Sequence, residues 1–129
     1  MVAGGSVERR RLLGQRAEGL AAAYLARQGY TITARNWRRP GGEIDLVAAR
    51  GDLCVFVEVR SRTGIRSGHP LETVGPAKRV RILRSARLFL DEERPRASAF
   101  RFDVVGVTFP PHHGRPDIAH VEDAFRAER

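Results

Sequence analysis

The sequence predicts an α/β sandwich on a mixed β-sheet, in the order helix, three strands, helix, two strands. Three observations carry that expectation. A stretch from Ser6 to Gln28 repeats apolar residues at helical spacing and ends on Gly29. Strand-like runs rich in valine and isoleucine follow, separated by glycine-bearing turns. A second helical pattern from Pro76 to about Glu92 precedes two further strand-like runs. A crossover helix after a three-strand meander makes the fourth strand expected to run parallel to one of the first three.

Taken in order, Met1 to Gly5 are expected to fray, with Ser6 as N-cap and Glu8 in the first turn, where a carboxylate complements the helix dipole. Leu13, Ala17, Leu20, Ala21 and Tyr24 share one stripe. Gly14, Glu18, Ala22 and Leu25 form a ridge beside it, which sets Glu18 at the margin of the buried face. Taken alone, Glu18 reads as a solvated glutamate. Gly29 suits the left-handed position that ends a helix. Tyr30 to Trp37 alternates, with Tyr30, Ile32 and Ala34 on one face, and Arg38 to Gly42 is a basic turn. Glu43 to Arg60 reads as a hairpin turning at Arg50-Gly51. Ser61 to Gly75 reads as a mobile loop carrying Arg62, Arg66 and Glu72.

In the second helix, Val80, Leu83, Ala86 and Leu90 are expected inward, with Lys78, Arg81 and Arg84 along another line, and Arg94-Pro95 ends it. Phe100 to Phe109 is a buried strand, and Asp117 to Val121 a short edge strand before a polar tail around Phe125. One domain is expected over residues 1–129, with 1–5 and 126–129 frayed.

Charge narrows the function classes. Lys+Arg of 23 against Asp+Glu of 15 gives a formal +8, and Lys78 is the sole lysine. Such a balance in a small chain points to a polyanion, most often nucleic acid. The bland alternative is an arginine-rich composition of the whole genome. No apolar run approaches the ~18 residues of a membrane helix, and the start of the chain has no signal-type apolar core, so no membrane partner is expected. The single cysteine, Cys54, excludes an intrachain disulfide, and a reducing cytoplasm is the expected location, with a thiolate zinc site of the usual type not expected.

The hairpin carries the chemistry. Asp45, Glu58 and Arg60 interrupt an apolar run, and buried carboxylates need a partner. If Ala49 pairs with Asp52, Asp45 lies opposite Phe56 and Glu43 opposite Glu58, and Glu43, Asp45, Glu58 and Arg60 share one face. Asp45 and Glu58 are then diagonal neighbours. A one-residue change in loop length would part them. Two such carboxylates suit Mg²⁺, a hard cation that takes oxygen ligands and keeps several waters. Arg60 then faces the charge that builds on a phosphate. In the competing reading Arg60 bridges to Glu43 as a structural ion pair. His112, His113 and His120 lack ligand spacing and are expected in solvent. Cys54 is expected to be a packed thiol. Trp37 and Tyr30 suit base stacking or, more commonly, packing.

Gly14-x-x-x-Glu18-x-x-Ala21, Gly29-Tyr30, Arg35-Asn36, Gly42-Glu43-Ile44-Asp45-Leu46-Val47, Phe56-Val57-Glu58-Val59-Arg60-x-Arg62, Lys78, Arg101-Phe102-Asp103-Val104 and Asp123-Ala124-Phe125 resemble the YraN family of small bacterial proteins. The resemblance implies a restriction-endonuclease-like fold, similar to archaeal Holliday-junction resolvases and tRNA endonucleases. In those nucleases a helix glutamate, a strand aspartate and an E-x-K pair form the site. Carried over, Asp45 and Glu58 are direct metal ligands and Glu18 binds directly or through water. Arg60 stands where the lysine belongs. It keeps the charge but cannot act as a base, and Lys78 or Arg62 is expected to supply part of the missing function.

The implied activity is Mg²⁺- or Mn²⁺-dependent hydrolysis of DNA, branched DNA included, by a homodimer. Glu18, Asp45, Glu58 and Arg60 would be catalytic, with Arg38, Arg39, Arg62, Lys78, Arg81 and Arg84 on the nucleic acid. Two alternatives stand beside it: a non-catalytic nucleic-acid-binding module on the same fold, and an interaction protein whose charge reflects genome composition.

Overall fold

Helix α1 spans Val2–Arg27 in the computed structural model, which describes residues 2–64 and 70–127. Met1, residues 128–129 and the loop centre with Arg66 lie outside the described residues, as does the side chain of Glu72. The helix begins well before the expected cap at Ser6. Each glycine near its start weakens it by about 1 kcal/mol relative to alanine without stopping it. Its fully buried residues are Ala17, Ala21, Ala22 and Leu25, so the face is turned toward the ridge that carries Glu18. Leu13, Leu20 and Tyr24 pack at the margin of the same cluster. Gly29, at φ 94°, ends the helix as expected.

The sheet runs in the order β1 (Thr31–Arg39), β2 (Gly42–Arg50), β3 (Leu53–Thr63), β4 (Ala99–Phe109), β5 (Asp117–Phe125). The first three strands form an antiparallel meander, β4 runs parallel to β3, and β5 closes the sheet antiparallel. The parallel step is made by α2 (Pro76–Glu93), after a 3₁₀ turn at Pro70–Thr73. This order agrees with the restriction-endonuclease-like architecture.

Two strands are longer than expected. Pairing with β4 carries β3 to Thr63, opposite Phe109. Burial of Phe125 against Phe102, ring centroids 5.2 Å apart, carries β5 to Phe125. The turn between β2 and β3 is also corrected: Arg50 pairs with Leu53, so the turn residues are Gly51 and Asp52, with Gly51 at φ 59°.

The helices cover opposite faces. Ala17, Ala21 and Leu25 of α1 pack on Leu46, Val55, Val57 and Val105. Beneath α2, Ala86 and Phe89 pack on Trp37, Val47 and Phe56. The inward residues of α2 are Ile82, Ser85, Ala86 and Phe89, whereas Val80, expected inside, is 54% exposed. The aromatic contacts of Phe89, edge-on to Trp37 at 5.3 Å and to Phe56 at 5.7 Å, set that rotation. Ser85 is tolerated inside because its hydroxyl donates to Arg81 O and accepts the Glu43 N–H.

Strand alternation fails in the middle of β1 and β2. Ala34 and Trp37, and likewise Ile44 and Val47, are three residues apart yet all belong to the cluster beneath α2. Regular pleating puts such residues on opposite faces. A bulge after Ile32 and the left-handed φ of 48° at Asn36 disturb β1, so Tyr30, Ile32 and Ala34 do not share the expected face. The break falls beside the acidic residues.

Candidate functional site

The pairing of β2 with β3 runs from Arg50↔Leu53 to Leu46↔Val57. Extended by one step, that register sets Asp45 directly opposite Glu58, not diagonal to it. The turn lies one residue later than expected, which moves the register by two and preserves the face. The ladder is not continued there: the Val59 N–H donates to Asp45 Oδ2 at 2.8 Å. The carboxylate thus takes over a strand hydrogen bond where the two strands part. Burial first, and then the neighbouring Glu58 carboxylate, push the Asp45 carboxyl up to about 7. Like charges at a desolvated site resist joint ionisation.

Glu58 is buried, at 8% exposed, and two cations reach one of its oxygens. Lys78 Nζ lies 3.2 Å and Arg60 Nη1 3.4 Å from Oε2. Arg60 is held from its other side, since its Nε–H donates to Thr73 Oγ1 at 3.0 Å. Gly106, the parallel neighbour of Arg60, brings that turn close: a Cβ there would meet Pro70 Cγ at 2.6 Å. Arg60 therefore pairs with Glu58 itself, and not across the hairpin with Glu43. Glu43 faces Arg38 at 3.8 Å.

Glu18 is half-buried on α1 and accepts a hydrogen bond from Asn36 Nδ2 at 2.8 Å. Burial and then the Asp45 charge hold its carboxyl above the ordinary value. Of the three expected ligands, Asp45 and Glu58 meet and Glu18 stands beside them within electrostatic reach. Among the described residues, no three acidic, histidine or cysteine side chains already converge to hold a metal ion.

A cavity of about 460 Å³ opens beside Glu58, with Arg38, Arg39, Lys78, Arg81 and Arg84 on its walls. Five of the six expected nucleic-acid residues line it, and Arg62 of β3, paired with Thr108 of β4, does not. The five are not equivalent. Arg39 is engaged by Glu92 at 2.7 Å and Glu93 at 3.6 Å and lies over the Trp37 ring at 4.7 Å. Trp37 is buried, so it packs and does not present a face for base stacking. Arg38 remains exposed.

A second buried polar group escaped sequence reasoning. Asp103 is 1% exposed on the α1 face of β4. It accepts two hydrogen bonds from Arg101 at 2.8 Å, one from the Asp123 N–H at 3.0 Å, and contacts His120 Nε2 at 2.7 Å. Burial raises its carboxyl, but the bonds from His120, Arg101 and the Asp123 backbone outweigh it and hold Asp103 below the ordinary range. His120 is therefore not in solvent: its Nδ1 meets Tyr24 Oη at 3.1 Å. His112 and His113 are exposed as expected. The signal for this network was present in Arg101-x-Asp103, a charge pair on one strand face. Cys54 is a buried thiol that burial pushes up to about 11. No helix of the described residues is long and apolar enough to cross a membrane.

The sequence is similar to those of bacterial proteins over most of its length. A UPF0102 protein of Anaeromyxobacter dehalogenans is 46% identical over 123 residues, covering 95% of this chain and 90% of its own length. One from Rhodococcus opacus is 47% identical over 113 residues, covering 88% of this chain and 95% of its own. One from Clostridium kluyveri is 37% identical over 114 residues, covering 88% of this chain and 93% of its own. The family described as uncharacterised protein family UPF0102 matches residues 17–107, which include Glu18, Asp45, Glu58, Arg60 and Lys78. The chain belongs to that family, UPF0102, which is the YraN family of the sequence resemblance.

Proposed function

We propose that this chain is a metal-dependent nuclease-like protein that binds DNA and hydrolyses phosphodiester bonds, branched DNA being the substrate class in view. The observation that carries the reading is the meeting of Asp45 and Glu58 where β2 and β3 part, beside a cavity with five cationic residues on its walls. The donor set fits Mg²⁺ or Mn²⁺: both groups are hard oxygen donors, and burial leaves Asp45 in need of a positive neighbour when ionised. Asp45 and Glu58 would hold the ion directly and Glu18 would assist. When bound, such an ion lowers the pKa of a water and neutralises charge on a phosphate.

The remaining work falls to side chains of the chain itself. Arg60 cannot give up its proton, so its part is electrostatic: a fixed charge facing the phosphate. Lys78 brings a second charge to the same carboxylate from α2. Arg38, Arg81 and Arg84 would run along the backbone of the strand without reading bases, since no aromatic ring among the described residues lines the cavity. A dimer in the cytoplasm, where the Cys54 thiol stays reduced, completes the reading.

The test is cleavage of junction, flap, single-stranded and duplex DNA with and without Mg²⁺ or Mn²⁺, with Glu58→Ala as control. Titration calorimetry with Mn²⁺ on the wild type and Asp45→Ala accompanies it. Absence of metal binding by the wild type overturns the nuclease reading. One observation favours a second reading, a non-catalytic DNA-binding module: Glu58 already has two cationic partners. Salt-dependent DNA binding without metal binding is its signature.

A further inference from the structure

We propose that Asn36 is the positioning residue for Glu18: its left-handed backbone aims a neutral amide that holds the Glu18 carboxylate at the acidic pair. The inference rests on the metal-site reading. It starts from the backbone. Asn36 has φ 48° in the middle of β1, one of three non-glycine residues with positive φ among those described. Asparagine tolerates that region better than most residues, yet a strand interior gives no general reason to use it. Departures of this kind gather at functional sites, where the surroundings hold them in place.

Register says what the departure achieves. Arg35 pairs with Leu46 and Trp37 with Ile44, so Asn36 lies across from Asp45, and Asp45 in turn across from Glu58. One lateral row of three strands thus contains Asn36, Asp45 and Glu58. The break in alternation on β1 and β2 coincides with the Asn36–Asp45 position. From there Asn36 Nδ2 reaches Glu18 Oε1 on α1 at 2.8 Å.

The chemistry explains why an amide is used. The carboxylates of Asp45 and Glu43 lie within electrostatic reach of Glu18, and like charges repel it from the site. A lysine or arginine in place of Asn36 would offset that repulsion but would also repel an incoming cation. An amide donates a hydrogen bond to the carboxylate, offsets part of the repulsion and adds no charge. Glu18 Oε2 makes no hydrogen bond among the described residues and remains the atom available to a metal or its water.

The competing explanation is that Asn36 serves only its own backbone. Asn36→Gly separates the two, because glycine adopts the same φ without strain and removes only the amide. Mn²⁺ affinity would be measured by calorimetry on the full-length wild type, Asn36→Gly, Glu18→Gln and the double variant, with thermal unfolding as the control for folding. The expected result is Mn²⁺ binding weakened about 10- to 100-fold in Asn36→Gly, as for partners that orient a ligand. In the double variant it should be no weaker than in Glu18→Gln, since Asn36 acts through Glu18. Unchanged affinity in Asn36→Gly, or fully additive losses in the double variant, overturns the positioning role alone. A wild type that binds no Mn²⁺ overturns the metal-site reading and this role together.

Discussion

Lys78 Nζ lies 3.2 Å from Glu58 Oε2, so the one lysine of the chain reaches this carboxylate from α2, not from two positions further along β3. Arg60, at the strand position, sits 3.4 Å from the same oxygen and is also anchored to Thr73. The two cations therefore differ in freedom. Among the described residues, Lys78 makes one ion pair, whereas Arg60 is held from two sides. Lys78→Ala should lower metal-dependent cleavage by about 10²-fold or more, the usual effect of removing one preorganised charge. Arg60→Lys should retain most of the activity while losing the Thr73 contact. Single-turnover rates at saturating Mg²⁺ measure both. A Lys78→Ala variant that cleaves like the wild type would reduce Lys78 to a counter-ion of Glu58.

Asp45 gives the metal-free protein a distinctive pH response. Its folded carboxyl is raised to about 7 by burial and by Glu58, against about 3.9 in an unfolded chain. The folded state therefore keeps a proton that the unfolded state has released. That contribution to stability is complete below about pH 4 and disappears as pH rises through about 7. Metal-free protein should melt lower at about pH 8 than at about pH 5, and Asp45→Asn, which still accepts the Val59 N–H, should remove that part of the difference. Mg²⁺ or Mn²⁺ should raise the melting temperature of the wild type at the higher pH and not that of the variant. Equal effects of Asp45→Asn at both pH values would contradict this.

What could be read in the sequence follows from which forces act locally. The element order, the parallel fourth strand and the joint placement of Asp45 and Glu58 all follow from apolar periodicity and face parity. The turn was misplaced by one residue, yet the shift in register was even and the shared face survived. Contacts distant in sequence were not legible. Phe89 turns α2 by meeting Trp37 and Phe56, and Phe125 extends β5 by stacking on Phe102. His120 looked like a loop-flanking histidine because nothing near it in sequence reveals Asp103. Asn36 was visible as a residue but not as a conformation, since asparagine prefers left-handed backbone only weakly and β1 otherwise reads as a regular strand.

The Asp103 network predicts a stability defect remote from the proposed site. Arg101 supplies two of the hydrogen bonds to a carboxylate with no exposed side-chain surface. Arg101→Ala leaves that charge buried and short of partners, which costs about 3–5 kcal/mol when one member of a buried pair is removed. Urea unfolding at neutral pH should show the loss. The pH dependence runs opposite to that of Asp45. Asp103 is held below the ordinary range, so its contribution is present above about pH 4 and is lost as pH falls through the folded value. Asp103→Asn should therefore lose stability at neutral pH and flatten the acid limb of the curve.

The basic cavity makes a prediction that divides its own arginines. Among the described residues, Arg38, Arg81 and Arg84 line it without a close ion pair, apart from the 3.8 Å approach of Arg38 to Glu43. Arg39 is held by Glu92 and Glu93 and rests on Trp37. A side chain free to neutralise a phosphate releases a counter-ion on binding, and its removal lowers the salt slope by about one. Alanine at Arg38, Arg81 or Arg84 should each weaken DNA binding evenly across sequences and flatten log Kd against log salt by about that amount. Arg39→Ala should leave the slope unchanged. It should instead lose about 1 kcal/mol of stability, since its ion pairs are half-exposed and its cation–π contact is modest. Fluorescence anisotropy across a salt series, with unfolding curves for the same variants, separates the two behaviours. If Arg39→Ala alone flattened the slope, the phosphate path would run along β1 and not through the cavity.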